Sequence, residues 1–245
     1  AVYLENEGGK SINTTITNNI IKYSGTLPGM GYINQSTSNN ISYNGITVLG
    51  DNSLIQYNYI DTTGHVPIAF YYNNISVKNN YINYHNYITD DGGGINTFDI
   101  SFGATSQSNR VITSNIILNG IGAATGTLDN ANVAIGIYMD DKADHITVNS
   151  NSVANTARAG IYGHNIDTVV IRDNTVYNSL VQQFMLVHDN HSTGIPIRGI
   201  LFNNNLLFSK LSGQLFHLVR TIRMDIDSMF LPVNDFISSL TLTRV

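Results

Sequence analysis

Two acidic motifs contain the residues of this sequence that are best suited to chemistry. The first is Asp90-Asp91, which three glycines follow at positions 92–94, and the second is Asp140-Asp141, which follows the apolar residues 136–139. Two carboxylates can serve one reaction as its acid and its base. Asp-Asp-Gly is also common in turns, and at the first motif this alternative stays open. At the second motif a functional role is favoured, because Asp140 comes directly after a predicted strand.

Two histidines extend the second motif when the predicted strands are aligned. The strand that ends at Asp140 aligns with one that ends at His164 and with another that ends at His188. We therefore expect these three side chains in one column, with about 4.8 Å between neighbours. Asp91 is expected just before the same edge, so Asp91 and Asp140 form the predicted catalytic pair. The predicted substrate-binding residues are Asp90, Asp141, His164, His188 and Tyr138. For each histidine a structural role as a hydrogen-bonded bystander stays open.

A repeated six-residue phrase indicates how these motifs are positioned. It consists of a branched apolar residue, two variable residues, Asn, one variable residue and a second branched apolar residue, as in residues 16–21. Such regular recurrence is typical of stacked repeat proteins. We expect the Asn to adopt left-handed backbone angles at a corner and to bond the equivalent Asn of the next coil. The phrase places this Asn at positions 19, 58, 80, 115, 151, 174 and, in a looser copy, 205.

The composition and the spacing predict an all-β solenoid. The 33 asparagines favour turns, the frequent Ile, Val and Thr favour strands, and a second short strand precedes each phrase. We predict a parallel β-helix of about seven to nine coils over residues 1–210, with a last coil and a cap in 211–245. A plain coil takes about 22 residues, and the coils that end at Asn115 and Asn151 are longer. Long loops of a solenoid usually gather on one face, which usually binds.

The phrase resembles the repeat of the pectate-lyase-like superfamily of right-handed parallel β-helices over about residues 10–210. Within it, Asp91 to Ile95 followed by Ile137 to Asp141 resembles the Asp-x-Gly-x-Ile and Ile-Tyr-Leu-Asp-Asp motifs of β-helical glycoside hydrolases. Those enzymes act on xylose- or fucose-containing plant glycans with two carboxylates. By this resemblance Asp91 and Asp140 are the catalytic pair and the partner is a polysaccharide or an oligosaccharide, with no cofactor.

Charge and composition limit the other classes of function. The net charge of −5 does not favour binding to nucleic acid, which is itself negatively charged. The sequence contains no apolar run of 18 residues, so no membrane-spanning helix is predicted. Cysteine is absent, so disulfides and thiolate metal sites are excluded. The chain opens inside a repeat, which is expected of an N-terminally truncated piece of a secreted, periplasmic or cell-surface protein. The sequence sets no oligomeric state.

Two alternatives to a hydrolase stay open. A polysaccharide lyase or epimerase would neutralise a uronate with Ca²⁺ bound by Asp90, Asp91, Asp140 and Asp141, although few basic residues lie near the motifs. A non-catalytic carbohydrate-binding protein or adhesin would use some of the 14 tyrosines as platforms for sugar rings.

Overall fold

The computed structural model describes residues 1–4, 11–27, 44–89, 91–99, 106–123, 131–188, 197–210, 214–220 and 240–244. These residues form 24 short β-strands, which pair in parallel in three sheets. No helix among them is long and apolar enough to cross a bilayer.

The strands of the three sheets follow one another in a fixed order along the chain. The first sheet contains β1 (Val2–Leu4), β2 (Ser11–Ile12), β5 (Ile46–Asp51), β8 (Ile68–Tyr71), β11 (Gly92–Thr97), β14 (Ala134–Met139), β17 (Ala159–His164), β20 (Gln182–His188), β23 (Gln214–Arg220) and β24 (Leu240–Arg244). The second contains β3 (Thr15–Thr17), β6 (Ser53–Gln56), β9 (Ile75–Lys78), β12 (Arg110–Thr113), β15 (Asp144–Asn149), β18 (Asp167–Arg172) and β21 (Arg198–Asn203). The third contains β4 (Ile20–Ser24), β7 (Tyr59–Thr63), β10 (Tyr81–His85), β13 (Ile116–Gly120), β16 (Ser152–Ala154), β19 (Thr175–Tyr177) and β22 (Leu206–Phe208).

This order winds the chain into a three-faced parallel β-helix. From β5 onward, successive strands enter the first, second and third sheets in turn, and each strand pairs with its equivalent one coil away. Seven coils contribute to all three sheets, and β23 and β24 extend the first. The predicted all-β parallel β-helix of seven to nine coils is therefore confirmed. Most of the expected cap in 211–245 lies outside the described residues.

Columns of branched apolar side chains fill the interior. On the second sheet the column includes Ile55, Val77 and Ile112, and on the third it includes Ile60 and Ile82, all with no exposed surface. Their polar neighbours along each strand face outward, because side chains of a strand alternate between its two faces. Full burial of each such side chain contributes about 1.5–3 kcal/mol to stability.

The repeated Asn forms a continuous ladder at the corner between the second and third sheets. The Asn58 side chain donates to Asn80 Oδ1 over 2.9 Å, and Asn80 donates to Asn115 Oδ1 over 2.9 Å. Each Oδ1 also accepts the backbone N–H of the previous Asn, as Asn115 Oδ1 does from Asn80 over 3.0 Å. The ladder continues without a break from Asn19 to Asn205. The expected bond between equivalent Asn residues is therefore confirmed.

The left-handed residue of this corner is the one before the ladder Asn, so that part of the expectation is wrong. Asn18, Tyr57, Asn79, Ser114 and Ser150 have φ between 53° and 56°, whereas the ladder residues do not have positive φ. The physical reason is that two adjacent residues have different structural roles at the corner. The first adopts the left-handed conformation that turns the chain, and the second directs its side-chain amide along the stack toward the next coil.

The extra residues of the two long coils do not lie at one corner. In the first of these coils they follow β11 and lead to β12, and in the second they precede β14. The described residues beside the two insertions therefore lie at opposite ends of the strands of the first sheet.

Candidate functional site

The second acidic motif lies at the C-terminal end of the first sheet. Ile137 and Met139 of β14 point into the core, so Tyr138 between them points outward. The equivalent pair in β17 is Ile161, which is in the core, and Tyr162, which is outside. Asp140 follows β14 directly, and His164 is the last residue of β17. Strand alternation thus brings Asp140 and His164 to the outer surface, one coil apart.

Asp140, Asp141, His164 and Asn165 form a hydrogen-bonded cluster there. Nδ1 of His164 donates to Asp140 Oδ1 over 2.8 Å and lies 3.5 Å from Asp141 Oδ1. The Asn165 amide donates to Asp141 Oδ1 over 2.8 Å. The cluster is partly exposed, since the side chains of His164 and Asp140 retain 13% and 28% of their accessible surface. These groups can therefore reach a ligand from solvent. The predicted neighbourhood of Asp140, Asp141 and His164 is thus present, and Asn165 was missed.

Tyr138 links this cluster to the rest of the sheet. Its ring stacks on Tyr162 with centroids 4.9 Å apart and an angle of 6° between planes. Burial is the main cause that raises the pKa of Tyr138 well above its ordinary value of 10, and the charges of Asp140 and Asp91 raise it further. An interaction of the hydroxyl with the Asp140 carboxylate makes a smaller contribution in the same direction. Both predicted catalytic carboxylates therefore act electrostatically on one buried phenol.

Asp91 reaches Tyr138 from the other end of the sheet. It precedes β11 with a φ of 55°, is exposed, and donates its backbone N–H to the Val133 carbonyl over 3.1 Å. Gly92 pairs with Ala134, so Asp91 lies at the N-terminal ends of these strands and Asp140 follows the C-terminal end of β14. The expectation that both aspartates lie at one edge is therefore wrong. In this register the six residues of the paired strands lie between the position of Asp91 and that of Asp140.

The glycines after Asp91 allow backbone contact with the next coil. A Cβ on Gly93 would lie 2.9 Å from Cβ of Tyr138, and one on Gly94 would lie 2.5 Å from a methyl group of Ile117. Neither position has room for a side chain. The run of glycine thus lets β11 pack closely on β14, and this is how the chain that carries Asp91 comes near Tyr138.

His188 does not lie in the column of Asp140 and His164. The register pairs His164 with Val187, so His188 is one residue further on, beside Arg220 of β23. The sequence alignment was shifted because Phe184, and not Met185, pairs with Ile161. His188 is buried. Asp90, the remaining predicted residue, lies outside the described residues.

Two aromatic residues extend the site toward the N-terminal coils. Phe98 follows Thr97, which pairs with Met139, so Phe98 lies one coil before Asp140. Its ring packs edge to face on Tyr71, with centroids 4.8 Å apart. Both rings are partly exposed. Sequence reasoning missed Phe98, although extending the strand register by one residue beyond Thr97 would have found it.

Among the described residues, Asp140, Asp141 and His164 form the one group with ligand atoms close enough to hold a metal ion, within 4.8 Å of one another. Two carboxylates and an imidazole suit a transition metal or zinc. They do not match Ca²⁺, which takes six to eight oxygen ligands. The Ca²⁺ of the lyase alternative therefore finds no fitting set of donors in this cluster.

Comparisons of the chain with protein-family models, with curated proteins and with solved structures found no match. Its function must therefore be argued from the geometry of the site.

Proposed function

We propose that the chain is a carbohydrate-active β-helix that hydrolyses glycosidic bonds in an extracellular polysaccharide, with Asp140 and Asp91 as its carboxylates. One observation carries the proposal. Asp140 projects from the outer surface of the first sheet, where His164 orients its carboxylate and where the charges of Asp140 and Asp91 both act on the Tyr138 phenol. An extracellular substrate implies that the protein is secreted or held at the cell surface.

Asp140 has the surroundings of a nucleophile or a general base. It accepts a hydrogen bond from His164 Nδ1 over 2.8 Å, so its carboxylate is held in one orientation. Glycoside hydrolysis needs one such carboxylate and a second carboxyl group that gives its proton to the leaving oxygen. In this assignment Asp91, on the neighbouring coil, is the proton donor. Because Asp91 precedes β11 while Asp140 follows β14, this role requires the two carboxyl groups to lie within about 10 Å of each other across the sheet surface.

The column beside Asp140 fits a sugar polymer that runs along the stack of coils. Tyr71 and Phe98 precede Asp140, and His164 and Val187 follow it, one residue per coil. Aromatic rings offer apolar faces to the C–H groups of sugars, and the Asp and His side chains bond hydroxyl groups. A polysaccharide would therefore place one sugar unit over Asp140 and its neighbour over Phe98.

A lyase is the second candidate, and the close approach of Asp140, Asp141 and His164 favours it. These three groups could bind zinc or a transition-metal cation, rather than Ca²⁺, and that cation would neutralise a uronate. Arg158 is a cation on the same face, with its guanidinium carbon 5.9 Å from the Tyr162 ring centroid.

Product chemistry separates the two reactions. The protein is incubated with arabinoxylan, xyloglucan and polygalacturonate, with and without EDTA, and reducing ends and ultraviolet absorbance are followed together. A hydrolase releases reducing ends from a neutral polysaccharide with no unsaturated product, and EDTA leaves its rate unchanged. Ultraviolet-absorbing product from polygalacturonate would instead assign the lyase. Binding to a glycan without any product would assign a non-catalytic protein.

Asp91 is tested separately, because its position at the far end of the strand is the weaker part of the pair. Asp91→Asn should lower kcat on the neutral polysaccharide by about 10²–10⁴-fold, as expected for loss of a general acid. Asp173→Asn is the matched control, since Asp173 is also an exposed Asp with positive φ, at 56°. Unchanged kcat in Asp91→Asn would remove Asp91 from the mechanism.

A further inference from the structure

The outer surface of the third sheet carries a group of exposed tyrosines in its first three coils. Tyr23, Tyr57 and Tyr84 retain 70%, 55% and 45% of their accessible surface. They line both margins of this surface, since Tyr57 precedes β7 while Tyr23 and Tyr84 lie near the ends of β4 and β10. We call them, together with Tyr59 and Tyr81, the tyrosine face.

A column of apolar side chains lies between these margins. Ile20, Tyr59, Tyr81 and Ile116 are in register across β4, β7, β10 and β13. Tyr59 and Tyr81 stack with centroids 5.0 Å apart, and Ile20 and Ile116 are 75% and 44% exposed. Contiguous apolar surface of this kind is typical of binding sites.

The backbone shows that the three marginal tyrosines are unfavourable for the fold itself. Tyr23, Tyr57 and Tyr84 have φ of 54°, 53° and 50°. A bulky side chain is an outlier in this left-handed conformation, because its Cβ approaches the carbonyl oxygen. Other coils place residues with short polar side chains at the equivalent corners, namely Asn18, Asn79, Ser114, Ser150, Thr62, Asn119 and Asn155. A conformation that is costly to the fold is a reason to look for function at these positions.

The polar residues beside the tyrosines indicate the ligand. Lys22, Asp61 and Asn83 are in register in the next outward column. Asp61 accepts hydrogen bonds from the Tyr59 hydroxyl over 3.3 Å and from the Asn83 amide over 3.4 Å. Lys22 Nζ lies 5.3 Å from the Tyr59 ring centroid. In the column of Lys22, Asp61 and Asn83 the positive charge of Lys22 and the negative charge of Asp61 cancel. The tyrosine face therefore complements an uncharged ligand that has both hydroxyl groups and apolar faces.

We infer that the tyrosine face binds a neutral polysaccharide chain. It is a different site from that of Asp140, because it lies on the third sheet and the Asp140 cluster lies at the C-terminal end of the first. The inference does not rest on hydrolysis, since binding at the face requires no turnover.

The face is tested with a triple variant that replaces each marginal tyrosine by the residue type that the corner prefers. Tyr23→Asn, Tyr57→Asn and Tyr84→Asn are combined in the Asp140→Asn background, which prevents turnover. Affinity electrophoresis and calorimetry then use soluble arabinoxylan, galactomannan and polygalacturonate as probes. The parent should bind a neutral polysaccharide, and the triple variant should bind it at least tenfold more weakly.

Thermal unfolding makes this loss of binding interpretable. Because Asn tolerates the left-handed corner, the triple variant should unfold a few degrees higher than the parent. Ser114→Asn with Ser150→Asn is the matched control, since both changes are at left-handed corners without an aromatic ring, and it should keep the parent's affinity.

Three outcomes would overturn the inference. The first is equal affinity of parent and triple variant for the neutral polysaccharides. The second is preference of the parent for polygalacturonate. The third is a parent dimer, seen by light scattering, that the triple variant dissociates, since the face would then bind a second copy of the chain.

Discussion

His85 is a histidine that the core holds in its neutral form. It is fully buried, and its Nδ1 donates to the Asn86 amide oxygen over 2.7 Å. Gly94 and Gly120 leave room for its ring, because a Cβ on either glycine would lie within 3.3 Å of it. Burial is the main cause that lowers the pKa of His85 to about 4 from its ordinary value of 6.5. At mildly acidic pH, His85 is therefore protonated in the unfolded chain and neutral in the folded protein.

This difference predicts how stability depends on pH. Between pH 6.5 and pH 4 the unfolded state binds the proton and the folded state does not, so stability falls as the pH is lowered through this window. Urea unfolding at pH 7 and pH 5 should show a loss of about 2 kcal/mol in the wild type that His85→Gln lacks. His145→Gln, at an exposed histidine, is the control and should behave as the wild type. Equal losses in His85→Gln and the wild type would contradict the assignment.

Arg110 is the largest fully buried side chain among the described residues. Its Nε donates to the Asp144 carbonyl over 3.1 Å, Nη1 donates to Thr97 Oγ1 over 3.1 Å, and Nη2 lies 3.2 Å from Asp144 Oδ1. Burial lowers the pKa of Arg110 to about 10, and Asp144 and Asp99 oppose this shift. The guanidinium therefore stays charged and ties the long coil of β11–β13 to the next coil.

Removal of this guanidinium should be costly. Arg110→Ala leaves buried partners without their donor, and loss of one member of a buried ion pair typically costs about 3–5 kcal/mol. Arg172→Ala, at an exposed arginine in the pair with Asp173, should cost less than about 1 kcal/mol. The free energy of unfolding in urea measures both. A cost below about 1 kcal/mol for Arg110→Ala would show that the coils hold together without this contact.

Residue-scale prediction from the sequence succeeded where the repeat defines the strand register, and it failed for residues outside the repeated phrase. Asp140 and His164 were brought together correctly because both end equivalent strands. His188 was misplaced by one residue, since no feature of its strand marks the register. Arg110 and Asp144 were missed as a pair, because their contact depends on the path of a long loop that no other coil repeats.

At the scale of the element, the Asn ladder is the main polar device of the corner. Asn115 is fully buried, and its amide donates to the Val77 carbonyl, to the Thr113 carbonyl and to Asn151 Oδ1 over 2.9–3.1 Å. Its Oδ1 accepts from both nitrogens of Asn80. Asn thus satisfies backbone groups of two coils and bonds the Asn side chain of a third, and no other side chain of similar size offers both a donor and an acceptor in this arrangement.

The ladder predicts a gradient of stability effects along the stack. Asn115→Ala strands several buried backbone groups, so it should cost about 3 kcal/mol or more. Asn19→Ala, at the partly exposed end of the ladder, should cost less than half as much, because it leaves fewer buried groups unpaired. Urea unfolding of the two variants gives the comparison. Equal costs at both positions would mean that the ladder adds little beyond local turn formation.

At the element scale the sequence predicted the strands, the corners and the ladder, because the six-residue phrase repeats in every coil. It did not show which corner residue is left-handed. Tyr57 and Ser150 hold that conformation as Asn79 does, so residue type alone does not mark the position. The position of the ladder Asn decides which residue is left-handed, because the residue before this Asn must turn the chain so that the Asn amide points along the stack.

At the scale of the whole molecule, each coil of a solenoid contacts only the coils beside it. A site on the outer surface must therefore be assembled from equivalent positions of adjacent coils, as Phe98, Asp140 and His164 are here. The parallel β-helix itself could be predicted from sequence, because its repeat is regular. The placement of Asp91 and Asp140 at opposite ends of the first sheet was missed, because Asp91 was assigned to the end of the strands that Asp140 follows although it precedes β11.

The most direct test of the proposed function is the rate of hydrolysis by Asp140→Asn. The substitution keeps the shape of the side chain and an oxygen that can accept from His164, so the fold should be retained. On the neutral polysaccharide that the wild type hydrolyses, kcat should fall about 10²–10⁴-fold while the polysaccharide is still bound, and Asp173→Asn should keep the wild-type rate. Wild-type kcat in Asp140→Asn would contradict the account, because catalysis would then not pass through this carboxylate.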